Sequence, residues 1–252
     1  MTPRGIFFDL DDTLIGYTEA VERALVAACR EASEEYPGLS ARPLGVALEQ
    51  AYQTRYGYGT TGYYELQTLP VTDLWRQLTT DALETLGIND KPLAEKMLAR
   101  YADVEHAELR SYPEIQETLN RLRPHFVLGV ITNGPSAMQR GKIAGLALDA
   151  YFDVVVVDTE FGHPKPDPRI FEHAARPSGC APEEMFFVGN SLEDDIAGAK
   201  AAGWHGVWVN RTGMVLPPST PAPDFTIARL GELLDLAPIR AVLQSGIALS
   251  SR

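Results

Sequence analysis

The sequence predicts an α/β fold: a Rossmann-like, doubly wound parallel sheet with a helical bundle inserted into it. Three observations carry that expectation. Short apolar runs of strand length recur at residues 6–8, 126–131, 152–157, 185–188 and 205–209. From residue 113 onward these runs alternate with helix-patterned segments, as in a parallel sheet with right-handed crossovers. Between the first run and the second lies a stretch of mostly helical periodicity, too long for a simple strand-to-helix connection. The expected division is a core of residues 1–16 and 111–252 around a helical insert of residues 17–110.

In order along the chain, the first run leads directly into Asp9-Leu10-Asp11-Asp12-Thr13. Helices are expected over 18–35, with Thr18 as N-cap, and over 43–52, 71–86 and 92–101, with a loop at the Gly/Tyr-rich 56–64. A helix over 113–122 leads back to the sheet. Helices over 136–146, 168–175 and 192–202 then separate the strands, and a short strand at 225–227 and a helix at 230–236 close the fold. The last dozen residues read as a helix or a frayed tail.

The chain of 252 residues can bury a full core, and its net charge of −12 argues against binding to nucleic acid or to anionic membranes. No apolar run is long enough to span a bilayer. The two cysteines, Cys29 and Cys180, lack metal spacing and are expected as buried thiols in a reducing compartment. With the first strand so near Met1, leaving no room for a signal peptide, the expected location is cytoplasmic.

Four stretches have the chemistry of a site. Three carboxylates, Asp9, Asp11 and Asp12, gather where a buried strand ends, which is where open α/β sheets build their sites. They repel one another unless a cation or a reacting group lies between them. Thr132-Asn133-Gly134 ends the second strand ahead of a helix, where side-chain donors and helix N–H groups can converge on an anion; the same tripeptide also makes ordinary turns. Lys165 lies between Pro164 and Pro166, in a loop of restricted backbone, with Asp167 and Pro168 opening the next helix. Gly189-Asn190-Ser191 and the acidic Glu193, Asp194 and Asp195 follow the fourth strand; they suit either a helix dipole or the oxygen shell of Mg²⁺.

Together and in this order, the four stretches resemble the signature motifs of the haloacid dehalogenase (HAD) superfamily, and the resemblance covers nearly the whole chain. Residues 9–13 match the first motif, Thr132 the second, Lys165 the third and residues 189–195 the fourth. The helical insert resembles the family's cap, which typically covers the active site.

The resemblance implies a Mg²⁺-dependent phosphatase acting on small phosphorylated metabolites. Asp9 is then the nucleophile that forms an aspartyl-phosphate, and Asp11 the general acid/base. Thr132 and Asn133 bind phosphoryl oxygens, and Lys165 neutralises charge on substrate and nucleophile. Asp9, the Asp11 carbonyl, Asn190 and Asp195 hold the metal, with Asp194 as a possible substitute. One position departs from the family: Asn190 stands where an acidic residue is usual, which implies weaker metal binding.

A retained Asp11 favours an oxygen leaving group, since halide departs without a proton; the family's haloacid dehalogenases lack this second aspartate. Dehalogenase, phosphotransferase and a catalytically weak binding or regulatory module remain the alternatives. Tyr52, Arg55, Tyr56, Tyr58, Tyr63 and Tyr64 are candidates either for the substrate entrance or for packing between insert helices. The similarity is to the small-molecule phosphatases of the superfamily, whose substrates include sugar phosphates, acylneuraminate phosphates and nucleotides.

Overall fold

The structure is a computed structural model that describes residues 4–32, 35–218 and 220–245. The described residues divide into two compact units: those within 1–15, 111–134 and 139–252 form one, and those within 16–110 and 135–138 form the other.

The first unit is built on a six-stranded sheet in the order β3-β2-β1-β4-β5-β6. The strands are β1 (Gly5–Phe8), β2 (Val127–Thr132), β3 (Val154–Val157), β4 (Met185–Gly189), β5 (His205–Val209) and β6 (Phe225–Ile227). All the pairings are parallel. β1 and β4 are buried along their full length, which is why they read as continuous apolar runs. The sequence order reverses at β1, which has β2 on one side and β4 on the other. This is the switch point at which sheets of this class open a crevice.

On one face of the sheet, Phe7, Ile131, Phe171, Phe187 and Trp204 pack into a single cluster. The Phe7 ring lies over Gly129 of β2, where a Cβ would come within 2.2 Å of it, so only glycine fits there.

The helices of this unit are α6 (Ile115–Leu122), α7 (Ser136–Gly145, whose residues 136–138 group with the other unit), α8 (Asp158–Phe161), α9 (Pro168–Ser178), α10 (Ala197–Ala201) and α11 (Ala237–Ser245). The segment expected as one helix over 192–202 opens as a π-helical turn, Leu192–Ile196, before α10. The helix expected at 230–236 is a 3₁₀ turn, Leu230–Asp235, followed by α11; residues 246–252 of the expected tail lie outside the described residues.

The second unit is helical: α1 (Tyr17–Ala32), α2 (Ala41–Tyr56), α3 (Thr61–Glu65), α4 (Val71–Thr85) and α5 (Lys91–Glu108). Leu25, Leu44, Leu74, Leu78, Leu83 and Met97 form its core. Two local expectations are corrected. Thr18 is not an N-cap, because α1 begins one residue earlier. The Gly/Tyr-rich stretch is not all loop: the Thr60 hydroxyl accepts from the Tyr63 N–H at 3.2 Å and starts α3.

Cys29 and Cys180 are both free and buried. Among the described residues, no helix is long and apolar enough to cross a membrane.

Candidate active site

The ends of β1 and β4, together with the loop before α9, bring Asp9, Lys165 and Asp195 into one buried cluster, and buried Thr132 ends the neighbouring β2. Lys165 is its hub. Its Nζ donates to Asp9 Oδ1 and to Asp195 Oδ1, both at 2.7 Å, and lies 5.2 Å from the centre of the Phe187 ring. The loop that carries it is fixed from the side by Asn133. The Asn133 Nδ2 donates to the Lys165 carbonyl at 3.0 Å, and its Oδ1 accepts the Lys165 N–H at 2.9 Å. Asn133, expected as a phosphoryl ligand, here bonds the Lys165 backbone through both ends of its amide. The Lys165–Pro166 peptide is cis.

Asp9 is raised to about 7: burial pushes it up most, Lys165 pulls against that, and the charges of Asp195 and Asp11 add to the rise. Burial alone would lower Lys165, but Asp195 and Asp9 outweigh it and hold the ammonium charged. Asp9 Oδ2 accepts no hydrogen bond from any described residue.

Asp195 is almost fully buried, and both of its oxygens are engaged: Oδ1 by Lys165, and Oδ2 by the Ser191 N–H at 2.9 Å. Gly189 makes room for it, since a Cβ there would lie 2.2 Å from Asp195 Oδ2. Ser191 caps the turn by accepting the Asp194 N–H at 3.0 Å. Burial, and then the charge of Asp195, raise Asp194 above the usual carboxylate range.

The Asn190 Oδ1 accepts the Thr13 hydroxyl at 3.2 Å, and its carbonyl accepts the Trp208 indole N–H at 3.0 Å. Among the described residues, no three Asp, Glu, His or Cys side chains form a metal-holding group. A cation here would rely on mixed oxygens: a carboxylate, a backbone carbonyl and an amide.

Several site residues were not anticipated from the sequence. Gln139 and Lys142 of α7 both reach Asp11. Buried Asp158 accepts the Gly134 N–H at 2.6 Å, and the Thr159 hydroxyl donates to the Gly134 carbonyl at 2.9 Å, so α8 fixes the turn after β2. Arg211 donates to Glu114 at 2.9 Å and to the Thr13 carbonyl at 3.1 Å, bracing the loop after β1. The signal available for Gln139 and Lys142 was their three-residue spacing on the helix directly after Thr132-Asn133-Gly134.

In the helical unit, Tyr56 and Tyr63 are buried in its packing, and the Tyr56 hydroxyl donates to Gln77 at 2.7 Å. Arg55 is paired with Asp81 at 2.7 Å, while Tyr58 and Tyr64 are exposed.

The chain is 33% identical over 241 residues to the glyceraldehyde 3-phosphate phosphatase of Methanopyrus kandleri, covering 92% of this chain and 96% of that protein. It is 29% identical to the human N-acylneuraminate-9-phosphatase, covering 91% and 92%. The crystal structure of a 2-haloacid dehalogenase from Pseudomonas syringae superposes with a TM-score of 0.65 at 28% identity, covering 93% of this chain and 97% of that one. Residues 3–203 match the haloacid dehalogenase-like hydrolase family, and the chain belongs to that family of hydrolases.

Proposed function

We propose that this protein is a phosphatase that hydrolyses phosphate monoesters of small metabolites through a phosphoryl intermediate on Asp9. The observation that carries the proposal is Asp9 itself. It is buried at the end of β1, with one oxygen neutralised by Lys165 and the other without a hydrogen bond among the described residues. Asp9 Oδ2 attacks phosphorus, and the departing ester oxygen takes its proton from Asp11. Thr132 turns its hydroxyl proton to a phosphoryl oxygen, and Lys165 offsets the charge that builds up. Water then displaces Asp9 and releases phosphate. The relatives named above for phosphatase activity support the reading.

The residues present fit Mg²⁺. Three carboxylates, Asp9, Asp11 and Asp195, stand against two ammonium groups, Lys165 and Lys142, so the cluster is short of positive charge. Asp9, the Asp11 carbonyl and the Asn190 amide oxygen would hold the ion, a donor set of oxygens that suits a hard cation. Asp195 would stand behind them, with its oxygens on Lys165 and Ser191. Once bound, the metal supplies charge neutralisation at the phosphoryl group.

A halide leaves without a proton, so a dehalogenase has no use for Asp11 as an acid. The test is phosphate release from an aryl phosphate with and without Mg²⁺. Metal-dependent turnover should be present in the wild type and lost in Asp9→Asn by at least ~10³-fold. Turnover that survives Asp9→Asn would contradict the proposal.

A further inference from the structure

Helix α7 presents Gln139 and Lys142 on one face, three residues apart. Gln139 is wholly buried and Lys142 is 5% exposed. An ammonium is costly to bury unless it is paired. Lys142 Nζ donates to both oxygens of Asp11, at 2.9 Å to Oδ1 and 2.8 Å to Oδ2.

Gln139 Nε2 lies 3.0 Å from Asp11 Oδ2, 3.0 Å from the Asn133 carbonyl and 2.6 Å from Thr132 Oγ1. Its Oε1 is buried with no donor among the described residues, so the amide is held entirely by its N–H side. The reverse orientation would set an oxygen against a carboxylate and a carbonyl.

A carboxylate has about four acceptor sites. Lys142 and Gln139 occupy one on Oδ1 and two on Oδ2. No other side-chain hydrogen bond reaches Asp11 from the described residues. The remaining site is on Oδ1.

We propose that Lys142 and Gln139 are positioning residues for Asp11. They aim the one open lone pair of Oδ1 at the water that hydrolyses the phosphorylated enzyme. The inference rests on the phosphatase reading above. In that half-reaction the water oxygen bonds to phosphorus, and the bond from phosphorus to the Asp9 oxygen breaks. Asp11 Oδ1 takes the water proton, Asp9 departs as a carboxylate, and phosphate is the product. The first half-reaction, with a good aryl leaving group, does not depend on that lone pair. Gln139 has a second effect: by donating to Thr132 Oγ1 it leaves that hydroxyl's own proton for the phosphoryl group.

The test is steady-state and quench-flow kinetics with an aryl phosphate for the wild type, Lys142→Met, Gln139→Met and Asp11→Asn. Lys142→Met should lower kcat by ~10-fold or more, with KM falling in parallel and kcat/KM within ~2-fold of wild type. Phosphorylated enzyme should accumulate after the acid quench. Gln139→Met, which removes fewer bonds to Asp11, should show the same pattern more weakly. Lys142→Arg should restore part of kcat. In an Asp11→Asn background, Lys142→Met should have no further effect.

Equal losses in kcat and kcat/KM, or an additive loss in the Asp11→Asn background, would overturn the inference while leaving the phosphatase reading intact. A wild type without Asp9-dependent turnover would overturn both.

Discussion

At the scale of single residues, Lys165 balances the site. It is the cation that bonds two carboxylates, Asp9 and Asp195, all three being buried. Removing one partner of a buried ion pair is far more costly than never having built the pair, because the other charge is left uncompensated. Lys165→Met should therefore destabilise the protein by about 3–5 kcal/mol, read as a lower urea midpoint with an unchanged slope. The sequence marked this residue because prolines restrict its backbone on both sides. It marked Asp9 and Thr132 because each follows an apolar strand. Gln139, Lys142 and Asp158 had no comparable mark. A buried lysine on a helix looks like an exposed one until the carboxylate it faces is known, and Asp11 is distant in sequence. Asn133 was legible as a candidate, but its bonds to the Lys165 backbone are tertiary and have no local signal.

At the scale of elements, the turn after β4 shows how a backbone position serves a charge. Gly189 lies against the Asp195 carboxylate, which itself caps the Ser191 N–H and accepts from Lys165. Gly189→Ala should push Asp195 off Lys165. We expect a stability loss of about 1–3 kcal/mol by thermal or urea denaturation, with turnover reduced as well. Wild-type stability and activity in that variant would show that the turn relaxes. Strand positions were legible because buried parallel strands are continuous apolar runs between turn residues. The helical insert was legible from its periodicity. The misplaced details were all short. The α3 turn depends on one hydroxyl cap amid glycines and tyrosines, and at the π-helical opening before α10 two side chains take up backbone N–H groups, Asp195 that of Ser191 and Ser191 that of Asp194.

At the scale of the whole molecule, each of the two units has its own apolar core, and in the sheet unit ion pairs join parts of the chain remote in sequence. Glu114 accepts from Arg211 and from the Leu230 N–H, and Arg211 reaches the Thr13 carbonyl and lies 3.5 Å from the Tyr112 ring centre. Burial works to raise Glu114, but hydrogen bonds from its own backbone, Arg211 and Leu230 hold it below the usual glutamate range. A depressed folded-state pKa adds stability that is fully present above the ordinary glutamate value and is lost as the pH falls from there through the lower folded-state value. Glu114→Gln should cost about 1–2 kcal/mol near neutrality and much less in acid, so its stability curve converges with that of the wild type as pH drops. A deficit independent of pH would assign the loss to packing.

The measurement that bears most directly on the central claim is a rapid acid quench during turnover of an aryl phosphate, followed by mass spectrometry of the peptides. The account predicts a phosphoryl group on the peptide that carries Asp9, labile to hydroxylamine and absent in Asp9→Asn. Turnover with no such adduct in the wild type, or an adduct on another residue, would contradict it.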